Sequence, residues 1–170
     1  ELGITTKRAA RSEITRSRVT AKRDSHFSEE KNAEFVEFCR STGLRRSEIT
    51  TLRGDQLIER DGEYYIEVVG KGGRFRIIKI CGDVALVVRK MQKAGTGKVW
   101  EKVPSNADIH DFRAQYASRI YSSYARPIEK IPRKERYICR KDKAGIVYDK
   151  AAMLEASKAL GHNRISVVGE

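Results

Sequence analysis

Three short runs rich in β-branched and aromatic residues, Gln56–Arg60, Tyr64–Val69 and Arg74–Ile80, are separated by turns that restrict their topology. Asp61-Gly62 is a two-residue hairpin signal, and Gly70-Lys71-Gly72-Gly73 is a second, glycine-rich one. The spacing predicts a three-stranded antiparallel meander.

Helical periodicity dominates elsewhere. Ser28 with Glu29-Glu30 predicts a capped helix start, and Phe35, Phe38 and Cys39 recur at helical spacing up to Thr42. Gly43 ends that helix, and Ser47 predicts the start of another carrying Glu48, Ile49 and Leu52. Val84, Val87, Val88 and Met91 form one face of a helix closed by Gly95. A long helix is expected from about Ala107 to Tyr124, with Ile109, Phe112, Tyr116 and Ile120 as its core stripe. Beyond Pro127 and Pro132, Tyr137–Cys139 and Ile146–Tyr148 predict a hairpin. Asp149 then caps a helix whose stripe is Met153, Ala156 and Leu160. The fold class is α+β, mainly α, with a small three-stranded antiparallel sheet at one edge.

The chain has 170 residues and carries 35 Lys and Arg against 23 Asp and Glu, a net charge of +12. Such a balance favours a polyanionic partner, because phosphate contacts and counterion release dominate nucleic-acid affinity. No stretch approaches the roughly 18 apolar residues of a membrane span, so no membrane partner is expected. Cys39, Cys81 and Cys139 are odd in number and far apart, which argues against a disulfide framework or structural zinc and fits a reducing cytoplasm. From Thr5 to Arg23 the chain holds Lys7, Arg8, Arg11, Arg16, Arg18, Lys22 and Arg23 with few apolar anchors. This reads either as a strap along a DNA backbone or as a solvated tail.

Three boxes carry the chemistry: Thr42-Gly43-Leu44-Arg45, His110-Asp111-Phe112-Arg113 and Leu160-Gly161-His162. Each places a cation or an imidazole near an expected helix end, where backbone N–H groups and the helix dipole attract anions. Arginine suits a phosphate because its planar fork clamps two oxygens and stays charged. His110 and Arg113, three apart, lie near one another on one helix face.

In order and wording, the boxes resemble the catalytic domain of tyrosine recombinases, the phage-integrase family. The likeness covers residues 28–170, with residues 1–27 as a basic linker. It implies a metal-independent transesterification of DNA through a 3′-phosphotyrosine, with no cofactor. Arg45 and Arg113 match the two family arginines that clamp the scissile phosphate. His110 and His162 match positions that bind phosphate oxygens and handle the nucleophile's proton, leaving His26 without a motif position. Lys71 matches a hairpin lysine that protonates the leaving 5′-oxygen, unless it is a plain turn lysine. Glu48 matches a supporting acidic position, equally explained as a helix-terminal carboxylate. Arg46, Arg74, Arg16, Arg18 and Lys22 are expected to contact DNA nonspecifically.

Ala114 and Phe112 depart from the family wording, but the H-x-x-R core survives. The family's tyrosine lies roughly nine or ten residues, or two to three helical turns, after the Leu-Gly-His box. That count lands just past Glu170, and all seven tyrosines lie upstream of His162. The expectation is a fragment that lacks both its nucleophile segment and an upstream DNA-clamping domain. A catalytically inactive pseudo-integrase or DNA-binding regulator is the alternative. The resemblance implies double-stranded DNA as partner, a tetrameric synapse in the parent protein, and a source in a mobile element.

Overall fold

A computed structural model describes residues 26–70, 72–140 and 143–162. Strands β1 (Leu57–Arg60), β2 (Glu63–Val69) and β3 (Phe75–Lys79) form the expected meander, antiparallel in the order β1-β2-β3. Asp61 and Gly62 both adopt positive φ, 52° and 78°, as a two-residue loop matching the strand twist requires. The register sets Leu57 opposite Ile66, and Ile66 opposite Ile78. Alternation then puts Ile66, Val68 and Ile78 on the buried face.

Helix α1 (Ala33–Thr42) starts later than Ser28. Ser28 instead holds a turn: its Oγ accepts from the Lys31 N–H at 3.3 Å, and its carbonyl accepts from Asn32 Nδ2 at 2.9 Å. Short α2 (Arg46–Thr51) follows one residue ahead of the expected start, because the Glu48 carboxylate takes the Arg45 N–H at 2.7 Å. Asp83 and Asp108 cap α3 (Val84–Ala94) and α4 (Ile109–Tyr124) through their side chains. A second, two-stranded sheet pairs β4 (Arg136–Ile138) with β5 (Val147–Asp149), and Asp149 caps α5 (Lys150–Ala159).

Helix α4 lies at the centre, packed against α1 and α5. Its Phe112, Tyr116 and Ile120 meet Phe38, Leu44, Ile78 and Ala156 in one continuous core. Tyr116 has no exposed surface, and its hydroxyl donates to the Lys79 carbonyl at 2.7 Å, tying the central helix to the end of β3. Among the described residues no helix is long and apolar enough to cross a membrane.

Candidate functional site

Gly43 closes α1 with φ 59°, its N–H bonded to the Cys39 carbonyl. A Cβ there would sit 2.2 Å from the Tyr116 ring, so only glycine lets the chain turn this close to α4. Leu44 is then fully buried, and Arg45 emerges at the start of α2 with its side chain one-third exposed. The turn also aims the Gly43 carbonyl at α4, where it accepts from Arg113 Nη1 at 2.7 Å.

The three boxes meet at the carbonyl of Leu160. Arg113 Nη2 donates to it at 3.1 Å and Arg45 Nη2 at 3.3 Å. Leu160 ends α5, where the last carbonyls lack partners within the helix and carry the negative end of its dipole. Arginines are therefore favoured at that point. The third box thus lies at a helix C-terminus, in keeping with a stripe that ends at Leu160, and its carbonyl end holds the two arginines. The positive charge at this point comes from the guanidiniums themselves.

Glu48, with a side chain only 5% exposed, organises the cluster. Its carboxylate accepts from Arg45 Nη1 at 3.2 Å and from Arg76 Nη2 at 2.7 Å. Arg76 was not among the residues singled out from the sequence, because it belongs to no motif. It lies opposite Val68 and two residues before buried Ile78, so strand alternation sends it inward. That parity was the signal available in the sequence.

Two guanidiniums thus pair with one carboxylate, and Arg113 adds a third positive charge from the Leu160 side, leaving the cluster with two surplus positive charges. Burial, then the charges of Arg45 and Arg76, push the Arg113 guanidinium down to about 10. Arg76 is also lowered, first by burial, with Glu48 opposing the shift. The surplus is uncompensated among the described residues, and an anion would relieve it. Arg45 and Arg113 each keep part of their N–H fork uncommitted to the contacts named above.

His110 is exposed on the first turn of α4, outside this network. His162 follows Gly161, is half-buried, and its N–H bonds to the Ser157 carbonyl at 2.8 Å. Arg46 points elsewhere: it donates to the carbonyls of Pro104 at 2.7 Å and Ala107 at 2.6 Å, lashing α2 to the segment that leads into α4. Arg74 is exposed beside β3. Lys71, Arg16, Arg18 and Lys22 lie outside the described residues. Those residues contain no group of three or more His, Cys, Asp or Glu arranged to hold a metal ion.

Comparison with protein-family models, with curated proteins and with solved structures gives no match for this chain.

Proposed function

We propose that the arginine cluster binds a DNA phosphodiester and that the chain is the catalytic domain of a tyrosine recombinase of the mobile-element integrase type. The observation that carries this reading is the convergence of Arg45 and Arg113 on the Leu160 carbonyl from boxes far apart in sequence, Arg45 and Leu160 being 115 positions apart. Two arginine forks anchored on one point are suited to a phosphate whose oxygens gain charge as it reacts.

Arg45 and Arg113 stabilise the nonbridging oxygens. His110 and His162 hydrogen-bond the phosphate and move the nucleophile's proton, and Lys71 exchanges a proton with the 5′-oxygen. The reaction passes through a 3′-phosphotyrosine and uses no metal. Assembly is a tetramer on DNA.

The joining half-reaction tests this without using a tyrosine of the protein. Preferred duplexes are first selected from a random pool with residues 1–170. One strand is then supplied with a 3′-(p-nitrophenyl) phosphate abutting a free 5′-hydroxyl. The 5′-oxygen bonds to phosphorus, the aryl P–O bond breaks, p-nitrophenolate leaves and Lys71 takes the hydroxyl proton. Joined strand and nitrophenolate should appear together in EDTA, and Arg113→Ala should abolish both. Tight binding with no joining would favour the DNA-binding regulator, and strict dependence on added magnesium would overturn the metal-free mechanism.

A further inference from the structure

Burying a carboxylate inside a phosphate site is a poor arrangement unless something offsets its charge. Glu48 is such a carboxylate: it holds Arg45 through both the backbone N–H and the guanidinium, yet it would repel an incoming anion. Arg76 meets Glu48 from β3 at 2.7 Å, and the two side chains are 11% and 5% exposed.

The surroundings of Arg76 fix it in that role. Its Nη1 lies 3.4 Å from the Ala159 carbonyl at the end of α5. Its Nε is buried with no hydrogen-bond partner. Gly161, at φ +81°, leaves it room: a Cβ there would lie 2.7 Å from Arg76 Nη1. The guanidinium is therefore packed beneath the Leu160-Gly161 corner, with its fork turned to Glu48 and the helix end.

We propose that Arg76 is a positioning residue of this site, neutralising Glu48 so that one carboxylate can orient Arg45 without cancelling the charge that Arg45 and Arg113 present to a phosphate. The inference rests on the phosphate-binding reading above and adds a residue that acts on the anion through Glu48 and Arg45.

The electrostatics give it a signature that a merely structural arginine lacks. Removing Arg76 leaves Glu48 with Arg45 as its one remaining ion-pair partner among the described residues, so that the carboxylate offsets the charge Arg45 presents to an anion. Removing Glu48 as well takes that penalty away. Inorganic sulfate is a suitable probe, since it is a tetrahedral oxyanion whose charge is constant near neutrality. Binding of sulfate to residues 1–170 is measured by calorimetric titration for the parent chain, Arg113→Ala, Arg76→Met, Arg76→Lys, Glu48→Gln and the Glu48→Gln/Arg76→Met double variant.

Arg113→Ala should lose sulfate binding. Arg76→Met should weaken it roughly tenfold, the scale of one added charge interaction at a half-exposed site. The double variant should recover most of that loss, and Arg76→Lys should retain affinity because it keeps the charge. If Arg76→Met does not fold, the comparison of Arg76→Lys with the double variant carries the test, since both should bind near the parent level. A double variant as weak as Arg76→Met, or a weak Arg76→Lys in a folded chain, would overturn the inference while leaving the phosphate site standing. A parent chain that binds no sulfate would overturn both.

Discussion

Arg126 grips Asp149 with one edge of its guanidinium: Nε donates to Oδ2 and Nη2 to Oδ1, each at 2.9 Å, while Nη1 donates to Glu135 at 3.0 Å. Asp149 is fully buried, also accepts from the Arg126 N–H, and caps α5 through the Ala151 N–H. Arg126 thus fastens the segment that leaves α4 to the junction of β5 and α5, the helix whose other end holds the arginine cluster. The Arg126 guanidinium keeps the Asp149 carboxyl far below the usual carboxylate range.

A group with a depressed folded-state pKa contributes stability above its unfolded value of about 4, and loses it as pH falls from there toward the folded value. Asp149→Asn keeps a good helix cap but removes this charge. The variant should be less stable than the parent at about pH 7 and at about pH 5, by a constant margin in urea denaturation. Below about pH 4 the margin should narrow, because the carboxyl then binds a proton in the unfolded parent chain while it stays ionised in the folded one. A margin that widens in acid would show that the carboxylate is not the stabilising species.

Gly43→Ala tests whether the turn after α1 is as tight as its geometry indicates. The left-handed backbone costs about 1 kcal/mol for alanine, and the new methyl would collide with the ring of fully buried Tyr116. Overpacking of this kind adds about 1–3 kcal/mol, so a loss of about 2–4 kcal/mol is expected in chemical denaturation. A near-neutral result would mean that Tyr116 can withdraw freely, against its hydrogen bond to Lys79.

The strands were legible to within a residue or two because turn chemistry and alternation act locally. Asp61-Gly62 permits only a tight loop, and its neighbours pair accordingly. Helix stripes showed equally well in Phe112, Tyr116 and Ile120. The start of α1 did not: Ser28 has the chemistry of a cap, but its bonds to Lys31 and Asn32 close a turn of their own. The motif spacing singled out Arg45, Glu48 and Arg113, which the fold brings together. Arg76 joins them through tertiary packing, and its strand parity gained meaning only once the sheet was seated on α5. Arg46 looks interchangeable with Arg45 in sequence, but the first turn of α2 directs it to Pro104 and Ala107.

Binding to duplex DNA should weaken steeply with salt, since the chain carries a net charge of +12. The slope of log K against log[salt] should be about −0.9 per phosphate neutralised. Replacing Arg16, Arg18 and Lys22 together with alanine should make the slope shallower by up to about three such increments if the basic segment lies on the backbone. An unchanged slope would assign it to solvent. Fluorescence anisotropy over a salt series decides between them.

Arg113→Ala and Arg74→Ala together separate chemistry from attachment. Arg113 lies in the cluster, half-buried and anchored on Gly43 and Leu160, whereas Arg74 stands exposed at the start of β3. A donor that stabilises developing charge on the reacting phosphate contributes roughly 3–4 kcal/mol to the barrier, so its loss should slow joining by on the order of 10²-fold or more. Arg113→Ala should show that loss even with every duplex bound, because saturating the protein cannot restore a missing transition-state contact. Arg74→Ala should raise the DNA concentration needed for half-saturation and leave the saturated single-turnover rate close to that of the parent. Joining rates measured at saturating duplex distinguish the two directly. If Arg113→Ala joins at the parent rate once saturated, the arginines at Leu160 only hold the DNA, and the chemistry belongs to other residues.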